Sequence, residues 1–131
     1  MGMKLASIFN VINGYFFALY GLYGILRPSR VAEFMGFEPS LLGLHQIRAF
    51  WMAIFGLGLI IIFASKRLSD QRPLILAIVF IMLCFAFGRI LGVWLDGAGP
   101  PQTYYELGFE IVWSIVGMVL YRRVSKGADL G

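Results

Sequence analysis

The side chains of this sequence that could do chemistry are the charged ones that lie inside apolar stretches. Arg48, Arg89 and Glu110 each lie in a stretch that is otherwise almost entirely apolar. A guanidinium can bind a carboxylate, a phosphate or a carbonyl oxygen, and a carboxylate can move a proton. Charge inside hydrocarbon is costly, so each of these side chains needs a partner or a ligand. What these side chains can do depends on which helices carry them and on how deep they lie in the membrane.

The composition predicts a membrane protein. Of the 131 residues, 60% are hydrophobic and 14% are charged, whereas a soluble domain is roughly 45–50% apolar and about 25% charged. The length predicts a single domain over residues 1–131. The net charge of +4 comes from short clusters at segment ends, which is typical of membrane loops and argues against nucleic acid as a partner. With one cysteine and one histidine, the sequence predicts no disulfide, no bis-His haem, no metal site and no cofactor.

Four apolar stretches predict an all-α integral membrane protein, a bundle of four transmembrane helices. At about 1.5 Å per residue, a helix of roughly 20 residues crosses a hydrocarbon core of about 30 Å. The predicted spans are about 5–26, 44–64, 74–95 and 105–121. The short apolar run Val31–Met35 predicts an interfacial helix after the first span, and Ser40 is a plausible N-cap of the second.

Small residues at helical spacing predict close contacts between these helices. Gly14, Ala18 and Gly21 form such a stripe in the first span. Gly88 and Gly92 form a GxxxG pair in the third span, which we interpret as packing within the chain rather than as a dimer seam. Cys84 in the same span is expected to be a buried, small apolar residue.

The distribution of lysine and arginine predicts the orientation. With four spans, the side that holds both termini carries Lys4, Lys66, Arg67, Arg72, Arg122, Arg123 and Lys126. The opposite side carries only Arg27 and Arg30. Because positive residues accumulate on the cytoplasmic side, we expect a multi-pass protein with both termini in the cytoplasm.

This orientation places polar residues from all four spans in one layer. By the helical rise, Arg48 lies about 6 Å, Glu110 about 7–8 Å and Arg89 about 9 Å below the outer boundary of the hydrocarbon. Tyr20 is about 9 Å deep by the same rise. One or two turns nearer the surface lie Glu106, Asp96 and His45.

Two interpretations of this layer remain open. In the first, a network of salt bridges fixes the helix packing, with Glu110 within hydrogen-bond reach of Arg48 or Arg89. In the second, the layer is the floor of a pocket open to the outer leaflet. Two guanidiniums and one carboxylate leave a positive surplus there, which suits a carboxylate, a phosphate headgroup or a quinone carbonyl. Trp51, Trp113 and Tyr20 would then form apolar walls.

Several segments resemble a known family. They are GLYGILRPSRVAEFMGFEP, HQIRAFWMAIFGLGL with Arg48, FGRILGVWLDG with Arg89 and Asp96, and Glu110 in the last span. Together, from Ile8 to Arg123, they resemble the bacterial membrane family known only as domain of unknown function 4345 (DUF4345), which looks distantly DoxX-like. The resemblance implies four spans and a location in the bacterial inner membrane, but no activity. Some DoxX-like proteins are tied to quinone-linked or thiol-linked redox work, and the absence of a cysteine pair argues against the thiol role.

Three functions compete on these observations, and whether the protein is an enzyme stays open. The first is a non-catalytic protein of the lipid bilayer that binds a lipid or quinone-like ligand, a partner membrane protein or further copies of itself. The alternative is a quinone-linked, DoxX-like redox subunit in which the arginines hold an oxyanion and Glu110 moves a proton. A small dimeric transporter ranks third, because the first span has no carboxylate.

Overall fold

The computed structural model describes residues 2–36 and 38–128, and this part of the chain is helical without strands. The all-α prediction is therefore confirmed. The four long helices extend past the predicted spans by one to seven residues at an end, because the residues that flank each apolar stretch continue the helix. They are α1 Gly2–Leu26, α2 Pro28–Phe34, α3 Leu41–Arg67, α4 Arg72–Asp96 and α5 Pro101–Ala128.

The connection from α1 to α3 follows from residues with special backbone chemistry. Pro28 occupies the first turn of α2, where its missing N–H costs nothing, so α2 begins three residues before the predicted interfacial helix. Gly36 follows α2 with a φ of +80°, a conformation that glycine adopts without strain. The Ser40 hydroxyl accepts a hydrogen bond from the Gly43 amide at 3.2 Å, which confirms Ser40 as the N-cap of α3.

The chain forms two compact units, and each is described by itself. One unit joins the start of α1, as far as Phe9, with the chain from Ser69 onward; the other runs from Asn10 to Leu68. In the Asn10–Leu68 unit, α1 and α3 touch backbone to backbone. A Cβ on Gly58 would overlap the backbone of Ala18, and one on Gly21 would overlap the backbone of Phe55. The predicted small-residue stripe of the first span thus makes the contact expected of it.

In the other unit, α4 and α5 pack side by side. A Cβ on Gly117 of α5 would lie 2.5 Å from the Val79 side chain of α4. Trp113 of α5 stacks on Phe9 with the ring centroids 5.6 Å apart. These contacts set the rotation of α5, and with it the direction in which its glutamates point.

Two predictions about small residues of α4 are wrong. Gly88 and Gly92 do not pack within the chain, because a Cβ on either would meet no atom of the described residues within 4 Å. Cys84, which an apolar position would bury, is exposed. In both cases the helix turns these residues to its outer face and buries Ile75, Ile78 and Met82 instead, at no more than 4% exposure.

The helix surfaces are those of a membrane protein. Within the described residues, α1, α3 and α4 are long and apolar enough to cross a membrane. Their exposed faces carry large apolar side chains such as Leu19, Ile60 and Phe80, each more than 60% exposed. Water would not tolerate so much contiguous apolar surface, whereas lipid does. Helix α5 is as long as these three helices, but it is not among those apolar enough to cross a membrane. It contains Glu106 and Glu110.

Candidate functional site

The first charged cluster lies between α4 and α5, where one arginine meets two glutamates. Arg89 Nε donates to Glu110 Oε1 at 3.0 Å and to Oε2 at 3.2 Å. Arg89 Nη2 lies 2.6 Å from Glu106 Oε2. The two glutamates are four residues apart, so both project from the same face of α5. The predicted pairing of Glu110 with Arg48 or Arg89 is thus confirmed, and the partner is Arg89.

This cluster satisfies its own charges. The Glu110 side chain is 8% exposed and the Arg89 side chain 31%, so the pair is largely withdrawn from solvent. One guanidinium between two carboxylates leaves a formal charge of −1, which disfavours an anionic ligand. The predicted positive surplus therefore does not exist at Arg89. The three side chains therefore link α4 to α5 through ionic hydrogen bonds.

The second charged group, Arg48, has a different environment. It lies on α3 in the Asn10–Leu68 unit, is exposed, and donates from Nε to the backbone carbonyl of Ile25 at 3.4 Å. That carbonyl belongs to the last turn of α1, where carbonyls have no partner within the helix and a cation is favourable. Within the described residues no carboxylate lies within salt-bridge distance of Arg48. Its terminal nitrogens Nη1 and Nη2 remain available to a ligand.

An open cavity of about 430 Å³ lies beside Arg48. Arg27 and Ser29 line it from the connection between α1 and α2, and Arg30 and Glu33 line it from α2. Arg30 Nη1 forms a salt bridge with Glu33 Oε2 at 2.9 Å. Three arginines against one glutamate leave a formal charge of +2 around the cavity. This positive charge comes from Arg27 and Arg30 together with Arg48, and not from the predicted layer of Arg48, Arg89 and Glu110.

Tyr20 and Trp51, two of the predicted wall residues, meet in the same unit. Their rings are 4.5 Å apart and nearly perpendicular. Trp51 is 5% exposed, and its indole occupies the space that a Cβ on Gly24 would need. Because Trp51 follows Arg48 by three residues on α3, this contact fixes the part of α3 that carries Arg48 against the end of α1. The third predicted wall residue, Trp113, stacks on Phe109 in the other unit, with centroids 5.7 Å apart.

Two predicted site residues, Asp96 and His45, lie outside both arginine clusters within the described residues. Asp96 ends α4 and is exposed, and it forms no described ion pair with Arg89. His45 is exposed on the first turns of α3. No group of three or more metal-ligating side chains comes together within residues 2–36 and 38–128.

Sequence reasoning missed Arg27, Ser29 and Arg30 as site residues. It treated the two arginines as markers of the membrane interface. A usable signal was present, because a proline next to Arg27 predicts a sharp turn that keeps the next residues near the helix end. The position of Arg48 opposite that turn was not readable, since it depends on how α3 is rotated against α1.

Comparison with known proteins yields a family and no characterised relative. The family model described as "Domain of unknown function (DUF4345)" matches residues 5–121. No curated protein matches the chain. No solved structure matches it either.

Proposed function

Because the chain belongs to the family described as domain of unknown function DUF4345, whose description carries no activity, we propose a function from the geometry of its two arginine clusters. The protein is a non-catalytic membrane protein that binds the anionic end of a lipophilic molecule at Arg48. The Arg89–Glu110–Glu106 cluster is structural in this proposal, and the cavity beside Arg48 is the binding site.

One observation carries the proposal: the two arginines that were expected to act together have opposite surroundings. Two glutamates neutralise Arg89, whereas Arg48 has only a carbonyl partner and faces an open, positively charged cavity. Because its one described hydrogen bond is made through Nε, Arg48 keeps its Nη1 and Nη2 groups for a ligand. Such a group recognises a carboxylate or phosphate through two parallel hydrogen bonds.

The membrane arrangement is part of the proposal. We infer a single domain of four spans packed as a bundle, with α5 as the fourth, in the inner membrane of a bacterium and with both termini in the cytoplasm. The length of α5 supports this, at 28 residues. So does its pairing with Arg89, because a paired carboxylate is less costly in hydrocarbon than an isolated one. The excess of lysine and arginine on the side of the termini supports the orientation.

Two other roles are outcomes of the test rather than parts of the proposal. A quinone-linked, DoxX-like redox subunit would retain a quinone. An accessory protein would retain another polypeptide or a second copy of this chain. The absence of a carboxylate at the Arg48 cavity other than the paired Glu33 leaves no obvious group for proton transfer there.

The test compares bound material in three preparations. Wild type, Arg48→Lys and Arg48→Ala are purified in mild detergent, and their bound molecules are identified by native mass spectrometry. Arg48→Lys keeps the charge but loses the planar fork, so it should retain less ligand than wild type, and Arg48→Ala should retain least. Melting temperatures should change little, because Arg48 is exposed and its one described bond is long.

The matched control is Arg67→Lys, at the far end of α3, where the guanidinium lies over the Phe63 ring and outside the cavity. It should retain as much ligand as wild type. Equal lipid content in wild type and both Arg48 variants would contradict the proposal. A quinone absorbance or a copurified polypeptide in place of lipid would favour the alternatives.

A further inference from the structure

We propose that the cavity beside Arg48 is a phosphate-binding site for the headgroup of a phospholipid, formed by Arg27, Ser29, Arg30 and Arg48. This inference rests on the proposed function and names the chemistry that the same site recognises. Nothing in the sequence patterns assigned a binding role to the α1–α2 connection.

The charge of the cavity selects an oxyanion. Glu33 is occupied by Arg30, so it does not neutralise the other two arginines. Arg27 and Arg48 have no carboxylate within salt-bridge distance among the described residues. Two guanidiniums without counter-charge around one cavity are the arrangement that binds phosphate in proteins, because guanidinium geometry matches two oxygens of the same group. Ser29 adds a hydroxyl that can donate to a further oxygen.

The backbone between two of these groups is restricted before a ligand arrives. Pro28 is buried and fixes the chain between Arg27 and Ser29. Arg48 adds one long hydrogen bond, from Nε to the Ile25 carbonyl at 3.4 Å, at the end of α1. A site that is ordered in advance loses less side-chain entropy on binding than one that must assemble around its ligand.

The shape of the cavity favours a lipid over a free ion. Leu26, which is 67% exposed, lines the same cavity as the arginines. The cavity therefore opens onto the apolar surface of α1, along which an acyl chain can lie. The cavity is open and its volume of about 430 Å³ is larger than one phosphate needs.

A second cavity of about 500 Å³ adjoins the first and provides an internal control. It shares Ser29 and Glu33 with the arginine cavity, but its other lining includes Glu38 and no arginine. A change at Glu38 alters the charge close to the proposed site without removing any of its donors.

The experiment measures the affinity of the purified full-length chain for defined molecules. They are phosphatidylglycerol, diacylglycerol with the same acyl chains but no phosphate, and inorganic phosphate. Binding is titrated by native mass spectrometry for the two lipids and by ³¹P NMR line broadening for inorganic phosphate. Wild type is compared with Arg27→Ala, Arg27→Lys and Ser29→Ala, and with the controls Glu38→Gln and Arg67→Ala.

We expect wild type to bind phosphatidylglycerol at least about tenfold more tightly than diacylglycerol, because only the former brings a charged acceptor to the arginines. Arg27→Ala should raise the Kd for phosphatidylglycerol about tenfold and leave that for diacylglycerol unchanged. Arg27→Lys should fall between Arg27→Ala and wild type, which separates a loss of charge from a loss of fold. Arg67→Ala should bind as wild type does, and Glu38→Gln, which removes a negative charge close to the site but no donor, should bind phosphatidylglycerol at least as tightly as wild type.

Three results would overturn the inference. The first is an unchanged phosphatidylglycerol Kd in Arg27→Ala. The second is equal binding of phosphatidylglycerol and diacylglycerol. The third is inorganic phosphate binding as tightly as phosphatidylglycerol, which would assign the site to a free anion. If Arg48→Ala loses lipid while Arg27→Ala does not, the phosphate site fails and the proposed function stands. If wild type retains no lipophilic molecule, the proposed function itself fails.

Discussion

Arg89 donates from Nε to both carboxylate oxygens of Glu110, at 3.0 and 3.2 Å, and so joins the second half of α4 to the first half of α5. Glu106 holds the other end of the same guanidinium through Nη2. The two glutamates differ in burial, since their side chains are 8% and 34% exposed for Glu110 and Glu106, respectively. That difference predicts unequal contributions to stability.

Glu110→Gln should destabilise the protein more than Glu106→Gln. Removing one partner of a buried ion pair leaves a desolvated charge, and we expect a loss of about 3 kcal/mol for Glu110→Gln. Glu106 is more exposed, and its replacement should cost about 1 kcal/mol or less. Thermal unfolding in detergent, followed by circular dichroism, measures both. Equal melting temperatures for the two variants would show that Glu110 is not the principal partner of Arg89.

Gly58→Ala should destabilise the contact between α1 and α3, because the new methyl group would overlap the backbone of Ala18. Neither backbone can move away without disturbing its helix, so a cost of about 1–3 kcal/mol is expected. Gly56→Ala is the matched control on the same helix, since a Cβ there meets nothing within 4 Å. It should be neutral or stabilising by up to about 1 kcal/mol, because alanine favours helix. A stable Gly58→Ala variant would contradict the close approach of the two helices.

Reporter fusions should show whether α5 crosses the membrane. One reporter is placed in the loop between α4 and α5, after Ala98, and the other follows the last residue of the chain. If α5 is the fourth span, the loop reporter lies outside and the terminal reporter lies in the cytoplasm. The same location for both reporters would mean that α5 lies along the membrane or outside it, and would remove the basis for the depth assigned to Glu110.

Acid should lower the stability of the protein by protonating Asp70, which lies in the loop between α3 and α4. The side chain of Arg72 donates to Asp70 at 2.9 Å, and this hydrogen bond, reinforced by the Arg72 backbone N–H, lowers the pKa of Asp70 below its ordinary value of 3.8. A carboxylate with a lowered pKa in the folded state stabilises the protein above its ordinary pKa. That contribution is lost as the pH falls through the lowered value.

The measurement is the melting temperature of wild type and Asp70→Asn between pH 7 and pH 2. The variant should melt below wild type at pH 7, and the two should converge at the acid end of the range. Asp96→Asn is the control, since no ion pair of Asp96 is described. A constant difference between wild type and Asp70→Asn across the whole range would show that the Asp70 carboxylate is not linked to folding.

The sequence by itself determined the helices, the membrane character and the need for a partner at Glu110. Apolar stretches of this length have few alternatives to helix in lipid, because backbone groups must be satisfied within the segment. Ser40 could be recognised as a cap because N-cap chemistry is local. The pairing of Glu110 with an arginine was predicted from the cost of an isolated charge in an apolar environment, and the contact with Arg89 agrees with it.

Only the tertiary structure decided which arginine that was and where the other one lies. Equal depth along two helices does not bring two residues together, because the rotation of each helix about its axis is also required. That rotation follows from packing details such as Gly21 against Phe55 and Gly24 against Trp51, which no periodicity specifies. It turned Arg48 to the end of α1 beside Arg27. The cavity beside Arg48 is therefore a product of packing between helices, whereas the helices themselves are a product of the sequence.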